Sequence, residues 1–141
     1  MKRMLFVCTG NTCRSPMAMA VFNDIAEKQN IEWVADSAGL SAYFDPINEN
    51  SAKALLKIGI DYSDYVSKRL TFGMADMADL IAVMTNEHKT ALVTAGIPEE
   101  KILILGDGIP DPFGKDIEVY SECLEKIQKA VLGHLEEDII K

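Results

Sequence analysis

Short apolar runs of strand length alternate along this chain with segments whose apolar residues recur at helical spacing, and no other feature constrains the fold as strongly. Met4 to Val7, Ile31 to Asp36, Leu80 to Met84 and Lys101 to Leu105 read as strands, and all but the second are nearly continuous in apolar side chains. Between them lie a helix opening near Pro16, with Met17, Ala20, Val21, Ile25 and Ala26 on one stripe, and a helix over Asn50 to Ile58 closed by Gly59. A short helix capped by Thr71 leads to Ala78, and another runs from Glu87 to Ala95 with Gly96 beyond it. Tyr120, Leu124, Ile127, Val131 and Leu135 stripe a long final helix. Strands that are apolar on both sides and separated by helices predict an α/β fold. It is a small doubly wound four-stranded parallel sheet with helices on both faces. A chain of 141 residues suits one such domain spanning 1–141.

Charge narrows the partners. Acidic residues outnumber basic ones 22 to 14, a formal net charge of −8, which argues against nucleic acid or an anionic membrane surface. The distribution is uneven: Lys2, Arg3, Arg14 and Lys28 face only Asp24 and Glu27 in the first thirty positions, whereas the segment from Asp111 onward is acidic. The apolar run after Lys2 and Arg3 is too short for the core of an export signal, and no stretch has the length of a membrane span. A cytoplasmic location is the expectation. Three cysteines, an odd number, then read as thiols rather than as a disulfide framework.

The first strand runs into Cys8-Thr9-Gly10-Asn11-Thr12-Cys13-Arg14-Ser15. In open parallel sheets, ligands bind where loops leave the carboxyl ends of the strands and enter helices. A cysteine and an arginine five residues apart frame a loop able to wrap a phosphate-sized oxyanion, with backbone N–H groups turned inward and the arginine completing the ring. The helix start and Arg14 together favour a thiolate at Cys8, an in-line nucleophile beneath a bound phosphoryl group. Ser15 is placed to donate to that sulfur. Gly10 and Asn11 are residues that tolerate a left-handed backbone, while Thr9 and Cys13 are expected to contribute mainly their amides.

Breaking a phosphoryl bond to an alkoxide, phenoxide or guanidino group requires an acid. Asp111, before Pro112 and Phe113 in the long loop after the fourth strand, lies on the same sheet edge as Cys8, and Asp107 in that loop competes with it. A turn between two glycines also accounts for Asp107, and an Asx turn before proline for Asp111. His88 and His134 stand among polar neighbours on predicted helices and read as solvated surface residues. Met17, Met19, Met74, Met77 and Met84 read as core.

The run Val7 to Pro16, with Ser37-Ala38-Gly39 and Asp111-Pro112-Phe113, resembles the low-molecular-weight protein tyrosine phosphatases over essentially the whole chain. That resemblance implies a flavodoxin-like fold of the phosphotyrosine phosphatase I type. It implies a phosphocysteine intermediate at Cys8, phosphoryl binding by Arg14 and proton transfer by Asp111, with no metal and no cofactor. It further implies phosphorylated protein substrates, inorganic phosphate as product, a hydrogen-bond network of Asn11, Ser15 and Ser37, and Cys13 as an oxidative disulfide partner of Cys8.

Some positions depart from the usual family pattern. Thr12 replaces the usual isoleucine, and Phe113-Gly114 replaces two tyrosines; both features resemble the family's protein arginine phosphatases. Leu40-Ser41 lacks the aromatic residue of that subgroup, leaving Tyr43 or Phe44, with Phe113, to rim the pocket unless they serve as packing. Tyr65 stands where the family has a network histidine. Two alternatives remain. Thioredoxin-coupled arsenate reductases resemble the loop but use a further cysteine pair, absent from residues 78–100; the intact Cys8, Arg14 and Asp111 argue against a non-catalytic phosphate-binding adaptor.

Overall fold

A computed structural model describes residues 1–139. The sheet has the order β2-β1-β3-β4 and every pairing is parallel. Its strands are β1 (Lys2–Cys8), β2 (Trp33–Gly39), β3 (Leu80–Val83) and β4 (Ile102–Ile104). The helices are α1 (Arg14–Lys28), α2 (Glu49–Lys57), α3 (Phe72–Met77), α4 (Asn86–Thr94) and α5 (Ile117–His134). No described helix is long and apolar enough to cross a membrane.

Strand pleating explains why the apolar runs are unbroken. Along β1, Met4, Phe6 and Cys8 point into the core beneath α1 and α5, whereas Leu5 and Val7 enter the core on the opposite face with Ala75 of α3 and Leu92 of α4. Phe6 meets Phe22 of α1 edge-on, with ring centroids 5.8 Å apart. The chain leaves β1 to build one neighbour, β2, and returns past it to build the other, β3. The strand order therefore reverses at the carboxyl end of β1, where Cys8 pairs with Gly39.

Several boundaries differ from the sequence expectation by a residue or more, and three of them have a clear cause. Helix α1 begins at Arg14, with Pro16 two residues inside, which costs no hydrogen bond because first-turn N–H groups have no helical acceptor. Strand β2 begins at Trp33 rather than Ile31, since the Ile31 N–H bonds the Ala26 carbonyl at 2.9 Å and closes α1. A single turn of 3₁₀ helix at Glu99–Lys101 trims β4 to Ile102–Ile104. Met77 is not core: α3 ends there, and the residue is 63% exposed.

Candidate active site

Helix capping singles out one loop. Asn48, Thr71, Thr85 and Asp116 each accept a first-turn N–H of α2, α3, α4 or α5. At α1 the N-cap is Cys13, which makes no such bond, so the positive end of that helix is left for something else. The loop from Thr9 to Cys13 curls over this end.

Its centre is Asn11, fully buried and left-handed at φ 57°. Gly10, expected to share that conformation, does not adopt it, and a β-carbon there would meet only Thr12 Oγ1 at 3.7 Å. The Asn11 side chain completes all its hydrogen bonds. Its Oδ1 accepts from the Lys68 N–H at 2.9 Å, which fixes the orientation of the amide, and from Tyr65 Oη at 2.6 Å. Its Nδ2 donates to Ser15 Oγ at 2.7 Å and to Ser37 Oγ at 3.0 Å. Ser15, already accepting from Asn11, therefore has its own proton for Cys8 Sγ, 2.9 Å away, and the Asn11 N–H points at the same sulfur at 3.3 Å. Two hydrogen-bond partners therefore converge on the Cys8 sulfur, the Ser15 hydroxyl and the Asn11 N–H.

Tyr65 closes the ring. Its hydroxyl donates to Asn11 and lies 2.6 Å from Ser37 Oγ, and burial pushes its pKa up to about 12, so it remains a neutral donor. The substitution of tyrosine for the family histidine leaves the network complete.

Gly39 lets strand and loop touch. A β-carbon there would stand 2.6 Å from the Thr9 carbonyl oxygen and 2.9 Å from Asn11 Cβ. Gly39→Ala is expected to lower stability by about 2–4 kcal/mol and, by displacing the loop, kcat/KM by about a hundredfold, read from thermal denaturation and steady-state kinetics.

Arg14, buried in the first turn of α1, donates from Nη1 to the Ile109 carbonyl at 2.8 Å, while its Nη2 lies 3.8 Å from Asp111 Oδ2. Ile109 is in turn held by its N–H to Met84 O at 2.8 Å. Two residues beyond this anchor, Asp111 is the carboxylate beside Arg14. Asp111 is 57% exposed on its side chain, with Oδ1 accepting from Phe113 N at 3.1 Å as an Asx turn would have it.

The other expected residues take varied places. Thr12 is half-buried, and its carbonyl accepts from Asn48 N at 2.9 Å, a contact that nothing in the sequence announced. Cys13 is a free thiol, buried 3.4 Å from Tyr120 Oη, and burial raises its pKa. Tyr43, Phe44 and Phe113 are exposed rather than packed, and the Arg69 guanidinium lies 5.8 Å from the Tyr43 ring centre. Both histidines correct the sequence reading. His134 is partly buried; it accepts the Gly106 N–H at 3.0 Å on Nε2 and reaches Asp138 at 2.8 Å through Nδ1. His88 is buried, with Nε2 2.9 Å from Thr9 Oγ1. Helix α4 starts at the same sheet edge as the loop, so a residue flanked by Glu87 and Lys89 is covered by Thr9.

Residues 3–140 match the family described as low molecular weight phosphotyrosine protein phosphatase. The chain belongs to this family. The protein-arginine-phosphatase of Bacillus subtilis is 33% identical over 135 residues, covering 89% of each chain. The low molecular weight protein tyrosine phosphatase of T. tengcongensis superposes with a TM-score of 0.92 at 35% identity, covering 97% of this chain and 99% of its own. A cysteine-to-serine mutant of the YwlE arginine phosphatase, with its active-site serine phosphorylated, superposes at 0.89 with 31% identity, over 96% and 97% of the two chains. This phosphatase thus has relatives of both specificities, and a cysteine-to-serine mutant of one of them carries a phosphoryl group covalently on that serine.

Proposed function

We propose that this phosphatase hydrolyses phosphorylated protein side chains with Cys8 as nucleophile, Arg14 as phosphoryl clamp and Asp111 as acid and base. The convergence of Ser15 Oγ and the Asn11 N–H on Cys8 Sγ, at 2.9 and 3.3 Å, carries the reading. The thiolate attacks phosphorus, a P–S bond forms as the bond to the leaving atom breaks, and Asp111 gives that atom its proton. Asp111, now a carboxylate, takes a proton from water as it attacks the phosphocysteine. Inorganic phosphate leaves and the Cys8 thiolate returns. Arg14 keeps N–H donors beyond the one engaged by Ile109, and with the loop amides they meet the equatorial oxygens. The amides of Thr9, Gly10, Asn11, Thr12 and Cys13 supply that cradle; Tyr43 and Phe113 form its rim. The net charge of −8 disfavours nucleic acid or an anionic membrane as partner.

Thr12 favours phosphoarginine over phosphotyrosine. A threonine wall leaves room and a hydroxyl for a planar guanidinium, whereas isoleucine packs on a phenol ring. Thr12→Ile is expected to shift the ratio of kcat/KM for phosphoarginine over phosphotyrosine peptides by about tenfold or more toward tyrosine. A wild type that strongly favours phosphotyrosine, with a ratio unmoved by the substitution, contradicts the arginine assignment. Arsenate reduction is the weaker reading. Beyond Cys8 and Cys13 the chain has only Cys123, buried near the Pro110 carbonyl with its pKa pushed up to about 11, a poor partner for thiol exchange.

A further inference from the structure

Apart from the groups assigned above, one buried imidazole has a hydrogen-bond arrangement that none of those roles explains. His88 is 6% exposed, in the first turn of α4 at the carboxyl end of β3, the strand beside β1. Its Nε2 lies 2.9 Å from Thr9 Oγ1, and its Nδ1 is buried with no hydrogen-bond partner among the described residues. Thr9 directly follows Cys8 and is an exposed residue.

These contacts decide where the protons are. A cationic ring would bury an Nδ1–H with no acceptor, and burial together with Arg14 holds the His88 pKa below 6.5 against the weaker opposite pull of Glu87 and Asp111. The ring is therefore neutral at pH 7. Of its two neutral tautomers, the one protonated at Nδ1 also buries an unpaired donor, whereas protonation at Nε2 leaves only a lone pair unfilled. Nε2–H then donates to Thr9 Oγ1. With that oxygen accepting, the Thr9 hydroxyl proton is left for a partner outside the protein.

We infer that His88 is a positioning residue of the phosphate cradle, orienting the Thr9 hydroxyl so that it donates to an oxygen of the bound phosphoryl group. The inference rests on the phosphatase reading and adds a side-chain donor to a position expected to contribute mainly its amide. It also gives α4 a part in substrate binding.

The experiment measures inorganic phosphate binding by calorimetry and p-nitrophenyl phosphate hydrolysis in wild type, Thr9→Val, Thr9→Ser, His88→Leu, His88→Gln and the Thr9→Val/His88→Leu double variant. Thr9→Val is expected to weaken phosphate binding by about tenfold, the worth of one hydrogen bond to a charged group, and Thr9→Ser to retain it. His88→Leu weakens binding severalfold in wild type but adds nothing to Thr9→Val. His88→Gln restores it, because the glutamine amide can place an N–H where Nε2 stands. Nitrogen-15 NMR of the unmodified protein, which requires no variant to fold, should show His88 neutral with its proton on Nε2 at pH 7. Wild-type phosphate affinity in Thr9→Val, additive losses in the double variant, or a proton on Nδ1 overturns the inference. If the wild type turns over and Thr9→Val matches it in both assays, this inference alone fails. If the wild type binds phosphate without turnover, the phosphatase reading fails, and the binding and NMR results still decide the role of His88.

Discussion

Cys8→Ser abolishes steady-state hydrolysis, by about four orders of magnitude or more, while the protein keeps its fold and its affinity for inorganic phosphate. The size follows from losing the nucleophile itself: a serine hydroxyl in the same cradle is a far weaker nucleophile than a thiolate, and nothing near it serves as its base. The nearest side-chain partner of Cys8 is Ser15 Oγ at 2.9 Å, a donor committed by Asn11 and not an acceptor free to take a proton. Folding survives because a hydroxyl can replace the sulfur as acceptor for both Ser15 and the Asn11 N–H. The checks are kcat for p-nitrophenyl phosphate, phosphate binding by calorimetry and the thermal midpoint. Full activity in Cys8→Ser would overturn the assignment of the Cys8 thiolate as nucleophile.

Asp111→Asn should lower kcat by about 10²–10⁴-fold, the usual range for a removed acid. The loss should grow as the leaving group becomes more basic. p-Nitrophenolate departs with little help, so that substrate loses least; phenyl phosphate and phosphoarginine, whose leaving groups need a proton, lose most. A series of aryl phosphates measures this directly as the slope of log kcat against leaving-group pKa, steep in the variant and shallow in wild type. Equal slopes would remove Asp111 from the proton transfer. Asp111 is exposed and 3.8 Å from Arg14 Nη2, so its pairing with Arg14 contributes little to stability, and the thermal midpoint should hardly move.

The four strands were legible because both faces of a covered parallel sheet demand apolar side chains, which writes an unbroken run into the sequence at β1 and β3. Their edges were less legible. Ile31 is apolar enough to start a strand, yet its N–H is used to end α1. Met77 fits a helical stripe, but α3 ends before anything can cover it. In the cradle, the order of Cys8, Arg14 and Ser15 announced the chemistry, since all three lie within one loop and one helix turn. The partners of Asn11 were harder to see. Tyr65 read as a departure from a pattern, and its hydroxyl completes the ring through Asn11 Oδ1 and Ser37 Oγ. His88 read as surface because its sequence neighbours are charged, which says nothing of what another strand's loop lays across it.

What the sequence alone determined is therefore local: the strand, the oxyanion-sized loop, the helix that follows it and the thiol at its mouth, all set by backbone geometry over a few consecutive residues. Which carboxylate meets Arg14, which hydroxyl closes around Asn11 and what covers His88 were decided by the tertiary structure. Arg14 reaches across 95 positions to the Ile109 carbonyl, and Tyr65 lies 54 positions from Asn11. Such pairs meet only because the strand order β2-β1-β3-β4 gathers the carboxyl ends of all four strands at one edge, and register along that edge is set by the whole buried sheet.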